Sequence, residues 1–279
     1  MSSILTNSSA VVALQTLKSI NSNLSKTQNE ISTGKTINSA KDNAALWSIA
    51  KTMESDQDVA STIQKNLNVA AETVATARTG AEDVLDKLSS IKKLMASANR
   101  SDADFAKIQT DINELKDGIT ATIAGTQANG VNLLSTNGVN GAATYTVLGS
   151  LDRSGTTVTA SSITVTSVDL EANLDLASLT AITDQATATT ALGEIDALIT
   201  IAQDGATALG AKGSRIEAQS KFVGKLADSL KLGVSALVDA DMEESSARLQ
   251  ALQTQQQLGI QALSIANQAP SSILSLFRG

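Results

Sequence analysis

The chain has 279 residues with no Cys, no His and a net charge of −7; 42% of its residues are hydrophobic but only 2% aromatic. Missing thiols and imidazoles exclude a disulfide framework, a cysteine zinc site, a thiol nucleophile and the usual neutral-pH acid–base, and the acidic balance opposes nucleic acid or an anionic membrane surface as partner. Compact cores draw heavily on large aromatic side chains; with one Trp, one Tyr and three Phe, this chain has to bury Ala, Leu, Ile and Val along long helices packed side by side.

The N-terminal stretch MSSILTNSSAVVALQTLK lacks a basic n-region, a continuous apolar core and a small-residue cleavage site, so no cleavable secretory signal is predicted. No apolar run approaches the ~20 residues of a membrane helix, and no membrane insertion is expected. Within residues 1–33, Ala10, Ala13, Leu17, Ile20, Leu24, Thr27 and Ile31 form a weak heptad seam that predicts an amphipathic helix. Residues 34–45 read as a turn, with Gly34 as a break. Ser39 and Asp42 have the spacing of a capping box before a long helix.

From residue 46 two rows repeat with a seven-residue period. Leu46, Met53, Ala60, Leu67, Val74, Ala81, Leu88 and Met95 make one; Ile49, Asp56, Ile63, Ala70, Ala77, Val84, Ile91 and Ala98 make the other. They predict a helix roughly 80 Å long with Asp56 as its one charged intruder. Ser101 and Asp104 repeat the capping signature before a second helix striped by Phe105, Ile108, Ile112, Leu115 and Ile119, which folds back on the first. Residues 46–130 are thus the first part of a helical bundle.

Residues 131–179 change character. ATYTVLG and the Thr/Val/Ser-rich run at 155–170 alternate as strands, giving a small β insert. Heptads return over 180–237, with Leu192, Ile199, Ala206, Gly213, Ser220, Ala227 and Val234 in one row and Ile195, Ala202, Leu209, Ile216, Val223, Leu230 and Leu237 in the other. Over 238–279, Leu249, Leu252, Gln256, Gly259, Leu263 and Ala266 form a last seam. Pro270 is expected to end that helix before the apolar tail Ile273, Leu276 and Phe277.

The fold class predicted is mostly α: a coiled-coil-like bundle of long antiparallel heptad helices, a small β insert, and amphipathic terminal helices that pair on assembly. Two paired helices bury only part of an apolar stripe, so the remaining face must meet other copies or another protein. The cluster Asp239, Asp241, Glu243 and Glu244 lacks the loop spacing and Gly of a calcium site and reads as a charged helical face. No residues support catalysis, a metal or a cofactor.

Three stretches carry a family resemblance. STGKTINSAKDNAA (32–45), LGAKGSRIEAQ (209–219) and the run from 236 to 278 ending SIANQAPSSILSLFR resemble, in order and position, the signatures of bacterial flagellins. The resemblance implies a secreted subunit that polymerises with itself into the flagellar filament for swimming. It implies that the terminal segments are disordered in the free chain and line the inner tube of the polymer, with the bundle outside them and the insert facing outward. Export uncleaved by the flagellar type III route, an export chaperone on the C-terminal segment, and contacts with filament cap and hook-junction proteins are implied as partners. The family's immune-receptor stretch corresponds to LSSIKKLMASAN (88–99), where Ser90, near Lys92, stands in place of an Arg found in recognised flagellins; receptor recognition is thereby weakened. A hook–filament junction protein shares the terminal segments and is the nearest rival. A soluble helical signalling scaffold is a more distant one, because the chain reverses through a β insert rather than a charged hairpin tip.

Overall fold

The computed structural model describes residues 7–154 and 157–276, apart from the side chains of 154 and 269–276. The elements run α1 (Ser8–Thr33), α2 (Ala44–Ser97), α3 (Phe105–Gly125), β1 (Thr144–Ser154), β2 (Thr157–Thr166), α4 (Leu170–Asn173), α5 (Gln185–Val238) and α6 (Met242–Leu276). The observed class is the predicted one, mostly helical with a small antiparallel β insert. Two compact units share the chain: residues 58–227 form one, and residues 1–57 with 228–279 form the other.

In the 58–227 unit, one face of α2 is buried from Ile63 through Leu67, Val74, Val84, Leu88 and Ile91 to Ala98. Ile195, Ala202, Leu209, Ile216 and Val223 of α5, with Ile112, Ile119 and Ile123 of α3, complete the same cluster. Leu192 and Ile199 are half-buried against it. Polar contacts fix the helix directions. Ser220 Oγ donates to Asn68 Oδ1 at 2.5 Å and Lys92 pairs with Asp196 at 2.6 Å, so α5 runs antiparallel to α2. Thr122 Oγ1 donates to Asp83 Oδ2 at 3.0 Å, while further back along α2 Gly80 faces Thr126, so α3 is antiparallel too.

Small residues let these helices approach. A Cβ placed on Gly80 would lie 2.4 Å from Thr126 Oγ1 and 2.9 Å from its Cβ, so the α2–α3 contact excludes any side chain there. The β insert shares the bundle's core: Leu133, Leu134, Val147, Ile163, Val165 and Leu170 are buried in the same cluster. The hairpin pairs Thr144 with Thr166 and Ser154 with Thr157, with a register shift between Leu148 and Ser150. Gln219 Nε2 donates to the Gly149 carbonyl at that shift, at 3.0 Å, tying the hairpin to α5.

In the other unit, α1 ends on Gly34, whose positive φ of 68° and N–H to the Glu30 carbonyl, 2.8 Å, make a left-handed cap. Thr36 N donates to the Val238 carbonyl at 2.7 Å and Ala240 N to the Gly34 carbonyl at 2.9 Å. The turn after α1 and the turn before α6 therefore run side by side. Asp241 starts α6: its Oδ1 accepts from Glu243 N and Glu244 N at 2.9 and 3.1 Å. The acidic cluster of the sequence is in this way a helix start, its glutamates placed favourably in the first turn. Leu46, Met53 and Leu230 are half-buried.

Four expectations need correcting. Ile49 is 50% exposed while Ala50, at 5%, is buried; the regular heptad burial of α2 begins only at Ala60. Ser39 and Asp42 form a turn ahead of α2, Asp42 Oδ2 accepting from Ser39 N and Oγ at 2.9 and 3.0 Å. The cap is Asn43, whose Oδ1 accepts from Leu46 N at 3.2 Å. Asp104, not Ser101, caps α3 through Lys107 N at 3.1 Å; the carboxylate next to the first helical residue reaches the open N–H groups and the hydroxyl three residues earlier does not. Finally, α6 runs through Pro270 to Leu276, so the proline does not end it.

Two measurements check this packing. Gly80→Ala is expected to destabilise the chain by about 1–3 kcal/mol through overpacking. Gly193→Ala, where a Cβ meets nothing within 4 Å, stabilises by about 0.5–1 kcal/mol. Urea midpoints read both, and equal signs would contradict the close α2–α3 approach. Acid provides the second. Hydrogen bonds from the backbone and hydroxyl of Ser39, Thr187 and Thr180 hold Asp42, Asp184 and Glu194 respectively below the usual carboxylate range. A depressed folded pKa contributes stability that is complete above the unfolded pKa and is lost as pH falls through the folded one. The thermal midpoint should stay level from pH 7 to about 5 and fall below about pH 4; Glu194→Gln should shrink that fall.

Candidate assembly surface

α1 and α6 lie antiparallel in a narrow seam. A Cβ on Gly259 would meet Leu17 Cδ1 at 2.9 Å and Ile20 Cδ1 at 3.8 Å. Gln256 Nε2 donates to Asn21 Oδ1 at 2.6 Å, and Asn7 Nδ2 donates to the Ala266 carbonyl at 2.7 Å. Leu17, Ile20, Leu24 and Ile31 on one helix and Leu249 and Leu263 on the other are half-buried, with Thr27, Glu30, Ser245 and Leu252 buried. Leu17, Ile20, Leu24, Ile31, Leu249, Leu252 and Leu263, the seams expected from sequence to pair, line the contact between the two terminal helices.

The outward face is carried by others. Val11 is 63% exposed, Val12 62%, Leu14 49%, Leu258 58%, Ile260 54% and Ile265 69%. Covering a side chain of this size is worth about 1.5–3 kcal/mol, so the six together hold on the order of 10 kcal/mol of gross burial energy that one chain cannot realise. Sequence reasoning missed them because a heptad reading picks out one stripe per helix. The available signal was the doublet Val11–Val12, where a two-helix pair needs only one apolar position. Ile273 and Leu276 are in α6 but their side chains, like Phe277 altogether, lie outside the described residues.

The stretch 88–99 engages its own chain. Ser90 Oγ donates to the Asp86 carbonyl at 2.9 Å, and Lys92 is held by Asp196. Among the described residues no group of three or more acidic side chains is placed to hold a metal, and no helix is long and apolar enough to cross a membrane.

Comparisons with known proteins give the family. The bacterial flagellin N-terminal helical region matches residues 4–138, and the bacterial flagellin C-terminal helical region matches 192–277. A flagellin of Brucella melitensis is 44% identical over 100% of both chains. Flagellin FljN of Caulobacter vibrioides is 40% identical over 100% of this chain and 99% of its own, and flagellin C of Rhizobium meliloti 38% over 100% of both. Among solved structures, a candidate flagellar hook-associated protein from Vibrio parahaemolyticus shares the fold with a TM-score of 0.52 at 13% identity, covering 71% of this chain and 100% of its own. Matches to both flagellin regions and to full-length flagellins place this chain in the bacterial flagellin family, as a structural subunit of the extracellular flagellar filament that drives swimming.

Proposed function

We propose that the chain enters the filament through the outer faces of α1 and α6. The observation that carries this is the apolar set Val11, Val12, Leu14, Leu258, Ile260 and Ile265, exposed on helices whose inward rows already face each other. Neighbouring copies cover that set. A filament of identical subunits needs a heterologous contact that repeats without closing into a ring, and this set supplies one side of it.

The same chemistry supports a route to the filament. An exposed apolar helix in the cytoplasm invites aggregation, so an export chaperone covers α6 until the chain leaves, uncleaved, by the flagellar type III apparatus. The cap then seats each subunit at the tip, and hook-junction proteins meet the polymer at its base. A junction role for this chain is less supported: the relatives matched over full length are flagellins, whereas the hook-associated likeness extends to fold alone.

Two variants test the reading by electron microscopy of the purified chain grown on short filament seeds. Leu258→Ser with Ile265→Ser should leave thermal unfolding almost unchanged, since both side chains are exposed, yet raise the concentration needed for growth by tenfold or more, on the order of 1.5–3 kcal/mol per side chain. Removing residues 271–279 should abolish filaments while circular dichroism still reports a helical bundle. Normal filaments from either variant would sink the reading.

A further inference from the structure

We infer that Asn7 and Pro270 act together as a register clamp between α1 and α6, fixing which residues the pair turns outward. The inference rests on the assembly reading above and adds the device that aligns its surface.

Asn7 has extended backbone, φ −89° and ψ 90°, and stands at the N-cap of α1. Its Oδ1 accepts from Ala10 N at 3.0 Å while its Nδ2 donates to the Ala266 carbonyl at 2.7 Å. Asp and Ser cap a helix as well as Asn does, but Asp has no donor and Ser has one oxygen to meet both partners, whereas the Asn amide places acceptor and donor on separate atoms. Capping alone therefore leaves the choice of residue open; the second bond selects the amide.

The carbonyl it meets is a special one. In a helix, the Ala266 carbonyl would accept the N–H of residue 270, and residue 270 is the chain's only proline, which has no N–H. α6 nevertheless continues through it. Pro270 thus frees one carbonyl in the last turns of α6, and the side chain that begins α1 takes it. The carbonyl left without a helical donor by the proline thus has one in Asn7.

Backbone bonds from Thr36 to Val238 and from Ala240 to Gly34 hold the register where α1 ends and α6 begins; toward the opposite end of the pair the apolar seam specifies it less. It offers Ala10, Ala13, Leu17, Ile20 and Leu24 to Leu252, Gly259 and Leu263, and Leu17 seated at Gly259 is its one shape-specific contact. A polar contact at one point of an apolar seam is the usual means of forbidding slips. Asn21 with Gln256 is the other contact of this kind, but Asn21 is exposed, where water competes for its amide. Val11 and Leu14 on one helix and Leu258 and Ile265 on the other present a fixed surface to neighbouring copies only while the register holds.

The test separates capping from clamping. Asn7→Asp and Asn7→Ser keep the acceptor that caps α1 and lose the bond to Ala266, whereas Pro270→Ala restores the helical N–H that competes for that carbonyl. Seeded growth should need a concentration about fivefold higher for each Asn7 variant, the worth of one hydrogen bond. In the Pro270→Ala background Asn7→Asp should add nothing. Because the chain has no Cys, a second readout is direct. Asn21→Cys with Gln256→Cys reports the native register, and Asn21→Cys with Ile260→Cys reports a one-turn slip. Asn7→Asp should move disulfide yield toward the slipped pair, in filaments where they form and in the soluble chain where they do not. Unchanged growth and unchanged yields would overturn the clamp, as would a full effect of Asn7→Asp on top of Pro270→Ala. Failure of the assembly reading is distinguishable: Leu258→Ser with Ile265→Ser would then grow normally, while the disulfide yields would still respond to Asn7.

Discussion

A helix pair has two sides and only one partner, and the architecture of this chain follows from that constraint. The bundle of residues 58–227 satisfies it internally, because α2 meets both α5 and α3 and the roots of the β insert as well. The pair made by α1 and α6 does not. Each helix gives its inward row to the other and keeps a second apolar row in solvent. With five aromatic residues in 279, no large side chains are available to fold over and cover it. The surplus has to be satisfied by other molecules, and in a polymer each added copy supplies the missing side to the last.

The two units use small residues differently. In the bundle, Gly80 brings the end of α3 against α2, and Ala60, Ala70, Ala77 and Ala81 line the buried row of α2. These exchanges of bulk for proximity suit a chain with little aromatic volume, since close helix spacing recovers dispersion contact that large side chains would otherwise provide. In the terminal pair, Gly259 opens a place for Leu17, and most of the seam remains half-buried rather than closed. Interior contacts of that kind are marginal for an isolated helix pair and gain strength when a neighbour excludes the remaining water.

Much of this was legible in the residues. The seven-residue rows of 46–98 and 192–237 announced long helices because every turn repeats the same choice of Ala, Leu, Ile or Val, and the alternation around Thr157–Thr166 announced a strand. Details that depend on a single atom's reach were not. Asn43 rather than Ser39 caps α2 because its amide oxygen is the acceptor next to the open N–H of Leu46, which spacing alone does not reveal. Ile49 is exposed although it continues the heptad row, because the regular burial of α2 begins only at Ala60. Pro270 read as a helix stop because the rule concerns the lost N–H; the donor that replaces it for Ala266 is 259 residues away in sequence. The exposed apolar residues of α1 and α6 were hidden for a related reason: side chains that do not pack within the chain look, in one sequence, like scatter around the seam.

The most direct test of the account is a near-atomic electron cryo-microscopy reconstruction of filaments grown from this chain. The account predicts α1 and α6 antiparallel within each subunit, with Val11, Leu14, Leu258 and Ile265 covered by neighbouring copies. Filaments in which those four side chains face water, or in which α1 and α6 of one subunit are apart, would contradict it.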